Sequence, residues 1–127
     1  MPLCAAENIA VLPWSPVARG RLTRDWNETT QRLETDEIGQ KLYAATAEAD
    51  RRVAQRVAEV AAKRNIPRAQ VALAWVLQKP FVTSPIVGAS KPNHLDDALA
   101  ALSVKLTPEE IRALEEPYVA HPIVGFV

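Results

Sequence analysis

The order of elements written into this sequence predicts an α/β protein with two parallel strands joined through helices. Three observations carry that reading. Ile9-Ala10-Val11-Leu12 is a short apolar run ended by Pro13, which suits a buried parallel strand. Phe81 to Val87 is a second such run, although Pro85 inside it counts against a strand on local grounds. Between the two, Val71 to Leu77 is apolar almost all round, as a deeply covered helix requires.

The remaining elements follow in chain order. From Pro13 to about Thr35 the residues are loop-forming and lack a helical period. Arg19, Arg21, Arg24 and Arg32 make that loop locally basic. Asp36 is placed to cap a short helix running to Leu42. A longer helix is predicted from about Ala45 to Arg64, with Val53, Val57, Val60 and Ala61 on its packing face. Pro67 suits the first turn of the next helix, and Pro80 stops it. The helix after Lys91 carries Leu95, Leu99 and Leu102 on one side. His94 and Asp97, three residues apart, share another face. Thr107-Pro108-Glu109-Glu110 is a capping box, Ile111 and Leu114 anchor the helix it opens, and Pro117 ends that helix. The tail from Tyr118 to Val127 is apolar and irregular, so it is expected to pack on something.

Composition excludes several classes of function. The 127 residues hold 15 basic and 15 acidic side chains, so no long-range field recruits nucleic acid or an anionic membrane. The single cysteine, Cys4, cannot form an internal disulfide and is expected to be a small buried apolar group. Metal-type Cys/His spacing is absent, and so is an apolar run long enough to span a bilayer. The N-terminus has no signal-peptide pattern, which makes the cytoplasm the default setting.

The stretch from Ser84 to Asp97 is the part that can carry chemistry. It reads as a strand, a turn and the opening of a helix, whose unpaired N–H groups favour an anion. Gly88 and Ala89 allow close approach to the backbone; Ser90 and Lys91 add a hydroxyl and an ammonium. On spacing alone, an ordinary strand-to-helix connection explains the segment equally well.

The same segment resembles the end of the last barrel strand and the phosphate loop of the aldo/keto reductases. Ile9 to Gly20, with its Trp14-Ser15-Pro16-Val17-Ala18-Arg19-Gly20, is similar to the preceding strand and its nicotinamide-side loop. Arg68 to Leu77 resembles the family's helix before the final strand, and Met1 to Cys4 the helix before the seventh strand. The resemblance covers nearly the whole chain. It implies a partial (β/α)₈ TIM barrel of C-terminal strands and helices only, with residues 1–127 forming an incomplete, cofactor-binding part. A full barrel needs about 250 residues.

What the resemblance implies for individual residues is specific. Trp14 would stack on a nicotinamide ring, unless it is a core tryptophan. Ser15, Val17 and Gly20 would line the pyrophosphate and ribose. Arg32 would clamp the pyrophosphate, or else be a solvated surface arginine. Gly88, Ser90 and Lys91 would contact an adenosine 2′-phosphate, with His94 where the family often has Arg or Gln. This set favours NADP(H) over NAD(H). Asp97 would serve the adenine or ribose side, or be a plain solvated helix residue, and Ala98 stands where many members have an adenine-reading Asn.

The family's catalytic Asp, Tyr, Lys and His all precede the region matched, and Tyr43, Tyr118 and His121 do not fit their positions. The intact protein is therefore expected to reduce small aldehydes or ketones with NADPH, while this chain alone lacks turnover. A non-catalytic helical interaction module derived from the barrel is the alternative. Two parallel strands with open edges also lead us to expect self-association.

Overall fold

The computed structural model describes residues 1–30 and 34–121. Among the described residues six α-helices follow one another: α1 (Pro2–Ala6), α2 (Glu37–Tyr43), α3 (Ala47–Arg64), α4 (Arg68–Leu77), α5 (Pro92–Ala101) and α6 (Pro108–Glu115). A 3₁₀ turn, Ala18–Gly20, interrupts the long loop before α2, and a second, Ala44–Thr46, joins α2 to α3.

Local chemistry sets three of the helix ends. Asp36 caps α2 by accepting a hydrogen bond from the Gly39 backbone N–H at 2.9 Å. Asn65 closes α3 in the left-handed region at φ 53°, which asparagine tolerates better than most residues. Thr107 and Glu110 form the reciprocal capping box at the start of α6, with Pro108 at its first position.

Helix α4 is the centre of the molecule: it packs on both α3 and α5, and α6 packs on α3. Val57, Val60 and Ala61 of α3 meet Val71 and Ala74 of α4, with Leu106 and Leu114 completing the core. Val71 and Ala74 are fully buried, as expected for a helix apolar on nearly every face. The Gln78 side chain ties this core to the next loop by reading one residue's backbone in both directions. Its amide donates to the Leu106 carbonyl at 3.2 Å, and its oxygen accepts from the Leu106 N–H at 2.7 Å.

Arg64 joins the end of α3 to the start of α6. Its guanidinium donates to both Glu110 carboxylate oxygens, at 2.5 and 2.6 Å, and to the Lys105 carbonyl at 2.7 Å. Arg64 thereby holds the Glu110 carboxyl below its ordinary 4.5. A carboxylate lowered on folding contributes stability above its ordinary value, and that contribution is lost as pH falls through the lowered one. We expect Glu110→Gln to cost about 1 kcal/mol at pH 7. Urea unfolding at pH 7 and pH 3 should show a smaller acid loss for this variant than for the native chain.

The two predicted strands require a correction. Among the described residues there is no strand; a single parallel bridge joins Trp14, two residues beyond the first run, to Ile86 in the second. Around it the Ile86 N–H donates to the Pro13 carbonyl at 2.9 Å, and the Thr83 N–H to the Val11 carbonyl at 2.9 Å. The parallel sense is the one expected, but the ladder does not extend. Pro13 and Pro85 have no N–H to offer it, and parallel strands need cover on both faces. Neither face is covered here: Trp14 is 64% and Ile86 56% exposed, and Ile9, Leu12 and Val87 are exposed as well.

Two smaller expectations also change. Cys4 is at intermediate exposure, and α1 buries none of its residues. The tail is described only to His121 and its apolar residues there do not pack: Tyr118 and Val119 are exposed, and what holds it is the His121 ring, which stacks with Tyr118 and places its Nε2 2.8 Å from Asp50 of α3. No helix among the described residues is long and apolar enough to cross a membrane.

Candidate functional site

A cavity of about 690 Å³ opens between the loop that follows Trp14 and the N-terminal half of α5. Val17, Arg19, Gly20, Thr23 and Arg24 form its loop wall, continued by Glu28 and Thr30. Pro67, Arg68, Ala69 and Leu73, at the start of α4, line it from below. Val87, Gly88, Ser90, Lys91, Asn93, His94 and Asp97 form the opposite wall.

The loop wall is shaped by unusual backbone. Ala18, Arg19 and Gly20 have φ of 49°, 56° and 91° in succession, and Ser15 has 53°. Non-glycine residues held there cost about 1–3 kcal/mol each unless the surroundings fix them. Here the surroundings do. The Arg19 N–H donates to Ser15 Oγ at 3.1 Å, and the Arg19 guanidinium bonds both carboxylate oxygens of Asp36, the Nη2–Oδ1 distance being 2.8 Å. That partner raises the Arg19 pKa above its already high ordinary value, chiefly through the hydrogen bond. Arg24 donates to the Gly20 carbonyl at 3.0 Å and to Thr30 Oγ1 at 2.9 Å, and Arg68 pairs with Asp25 at 2.6 Å. A Cβ at Gly20 would meet only the movable end of the Arg24 side chain, so it is the φ of +91° that requires glycine.

The opposite wall is less committed. Gly88, Ser90 and Lys91 are exposed, and the Lys91 ammonium makes no ion pair among the described residues. Lys91 itself occupies the N-cap of α5 without a side-chain cap bond; Pro92 after it has no N–H, and the His94 N–H donates to the Lys91 carbonyl at 3.0 Å. A Cβ built on Gly88 would meet nothing within 4 Å. His94 and Asp97 are half-buried, and Asp97 is fixed by the Gln70 amide, which donates to it at 2.8 Å.

The structure thus brings seven of the ten candidate residues to one cavity: Val17, Gly20, Gly88, Ser90, Lys91, His94 and Asp97. Trp14 and Ser15 do not line it. Trp14 stands beside it through its bridge to Ile86, two residues before Gly88, and Ser15 serves the loop as the acceptor for Arg19. Arg32 lies outside the described residues. Arg19, Arg24, Arg68 and Asn93 line the cavity without having been singled out as site residues. The cluster of arginines in the loop was the available signal for the first two, while nothing local marks Arg68.

Arg19 and Arg68 are paired with carboxylates, and Arg24 bonds the Gly20 carbonyl and Thr30. The Lys91 ammonium, by contrast, makes no ion pair among the described residues and stands next to a hydroxyl and a helix N-terminus. That donor set suits a phosphate group.

Comparison with known proteins gives the family. The profile of the aldo/keto reductase family matches residues 1–118. The chain belongs to the aldo/keto reductase family. It is 46% identical over 125 residues to versiconal hemiacetal acetate reductase of Aspergillus parasiticus, which covers 97% of this chain and 36% of that protein. It is 37% identical over 124 residues to the aldo-keto reductase dtxS3 of Metarhizium robertsii, covering 96% of the chain and 33% of that protein. Norsolorinic acid reductase B of Aspergillus parasiticus is 34% identical over 122 residues, 96% of the chain and 32% of its own length.

The chain therefore spans about a third of the length of these curated relatives. Aldo/keto reductases are oxidoreductases built on a (β/α)₈ barrel, act on small carbonyl compounds and generally use NAD(P)H. In this chain the described residues are mostly helical, with one parallel bridge and no strand among them.

Proposed function

We propose that this chain is the cofactor-binding C-terminal part of an NADPH-dependent carbonyl reductase. The observation that carries the reading is the shared cavity, in which Val17 and Gly20 face Gly88, Ser90, Lys91, His94 and Asp97. The residues fit the group. Space above Gly88 admits close approach to the backbone, and Lys91 and Ser90 are free to bond a 2′-phosphate. When bound, NADPH supplies a hydride to a carbonyl carbon.

The chain's own residues would bind and orient. Lys91, Ser90 and the α5 N-terminus would hold the 2′-phosphate, with His94 beside them. Asp97, steadied by Gln70, would meet the adenosine, and the left-handed turn at Gly20 would leave room for the pyrophosphate. Trp14, exposed at the edge of the site, would offer a ring face to the nicotinamide. Arg32 stays in this proposal as a pyrophosphate clamp. The proton donor to the carbonyl oxygen is not among these residues, and this chain alone would turn over no substrate.

Titration with NADPH and NADH, followed by tryptophan emission, tests the reading. NADPH is expected to bind more tightly than NADH and to quench Trp14. Lys91→Ala should weaken NADPH by about tenfold and leave NADH nearly unchanged, because only the former has the extra dianion. Equal loss for both nucleotides would remove the 2′-phosphate assignment.

A second reading rests on a different observation. Leu95, Leu99 and Leu102 form an exposed apolar stripe on α5, which suits a non-catalytic interaction module. Self-association of the chain belongs to that reading, and a failure to bind either nucleotide, with oligomers in sedimentation, would favour it.

A further inference from the structure

Arg21 does not line the cavity, and its guanidinium is held in an aromatic setting. Its guanidinium carbon sits 4.7 Å from the ring centre of Tyr43, in α2, and 5.6 Å from that of Trp26, in the loop. Its Nε is buried without a hydrogen-bond partner among the described residues. The charge is therefore held against two aromatic faces instead of a carboxylate, an arrangement that gains strength when water is excluded. Tyr43 responds as a half-buried phenol: desolvation raises its pKa, and the Arg21 charge works against that rise.

The position of this clasp in the loop gives it a consequence. Gly20 before it and Thr23 and Arg24 after it line the cavity, as does Glu28 beyond Trp26. We infer that Arg21 is a positioning residue: by pinning the loop to α2, its stack with Trp26 and Tyr43 holds one wall of the cavity in place and sets how long a nucleotide stays bound. This inference rests on the proposal that the cavity takes NADPH.

Two measurements test it, on the native chain and on Arg21→Leu, Tyr43→Leu and Arg21→Lys. Amide hydrogen exchange should show faster exchange over residues 17–30 in both leucine variants, with α3 unchanged. Stopped-flow displacement should show NADPH leaving about tenfold faster from both, with Arg21→Lys in between because lysine retains a cation over the rings. Unchanged loop exchange in Arg21→Leu would overturn the inference whether or not nucleotide binds. Faster release in Arg21→Leu alone, with Tyr43→Leu unaffected, would also overturn it, since charge and not the clasp would then be at work. Absence of NADPH binding by the native chain would remove the parent proposal, and with it the claim about residence time.

Discussion

Leu114→Ala is expected to destabilise this chain by about 3 kcal/mol, within the roughly 2–5 kcal/mol range for such truncations in a core. Leu114 is 6% exposed and packs in one cluster with Val57, Val60, Ala61, Val71, Ala74 and Leu106. Removing its side chain takes away buried apolar surface and leaves a space that helices pinned from both ends cannot close. On one end Arg64 holds Glu110; on the other, Lys79 and the Trp75 indole both bond Glu115. Leu99→Ala supplies the contrast. It removes the same atoms from a helix of similar length, but Leu99 is 57% exposed. Its expected cost is at most about 0.5 kcal/mol. Urea unfolding of the two variants side by side checks the difference, and equal losses would mean that the core has been placed wrongly.

That contrast marks where sequence reasoning stops. The Leu95, Leu99 and Leu102 stripe and the Ile111 and Leu114 stripe look alike in the sequence, because periodicity shows that a face is apolar and not what covers it. The helix ends were readable for the opposite reason. Asp36 reaches Gly39, and Thr107 reaches Glu110, across three residues, so the short-range pattern contains the whole interaction. Strand formation depends on neighbours, and neither apolar run has more than one bridge to the other.

The candidate site divides in the same way. The shared face of His94 and Asp97 was visible from their spacing, and both line the cavity. The pairs that build its loop wall, Arg19 with Asp36 and Arg68 with Asp25, join residues 17 and 43 positions apart. No local pattern points to them. The left-handed turn through Ala18 and Arg19 was equally hidden, since neither residue favours that conformation.

Gly88→Leu is expected to lower NADPH affinity by about tenfold to a hundredfold, the effect of forcing a side chain into space a ligand needs. The argument turns on what Gly88 does not do for the fold. Its φ is outside the left-handed region, and a Cβ there would meet no atom within 4 Å. Neither strain nor packing in the chain itself therefore calls for glycine, and unfolding stability should stay within about 0.5 kcal/mol of the native chain. Gly20→Ala should behave differently: φ is +91°, which alanine adopts only under strain, and the new Cβ displaces the Arg24 guanidinium, so stability and the loop wall would suffer together. Calorimetric titration with NADPH, paired with unfolding of the same samples, separates the two glycines. If Gly88→Leu bound NADPH as the native chain does, the nucleotide would have to lie elsewhere, and the cavity would lose its assignment.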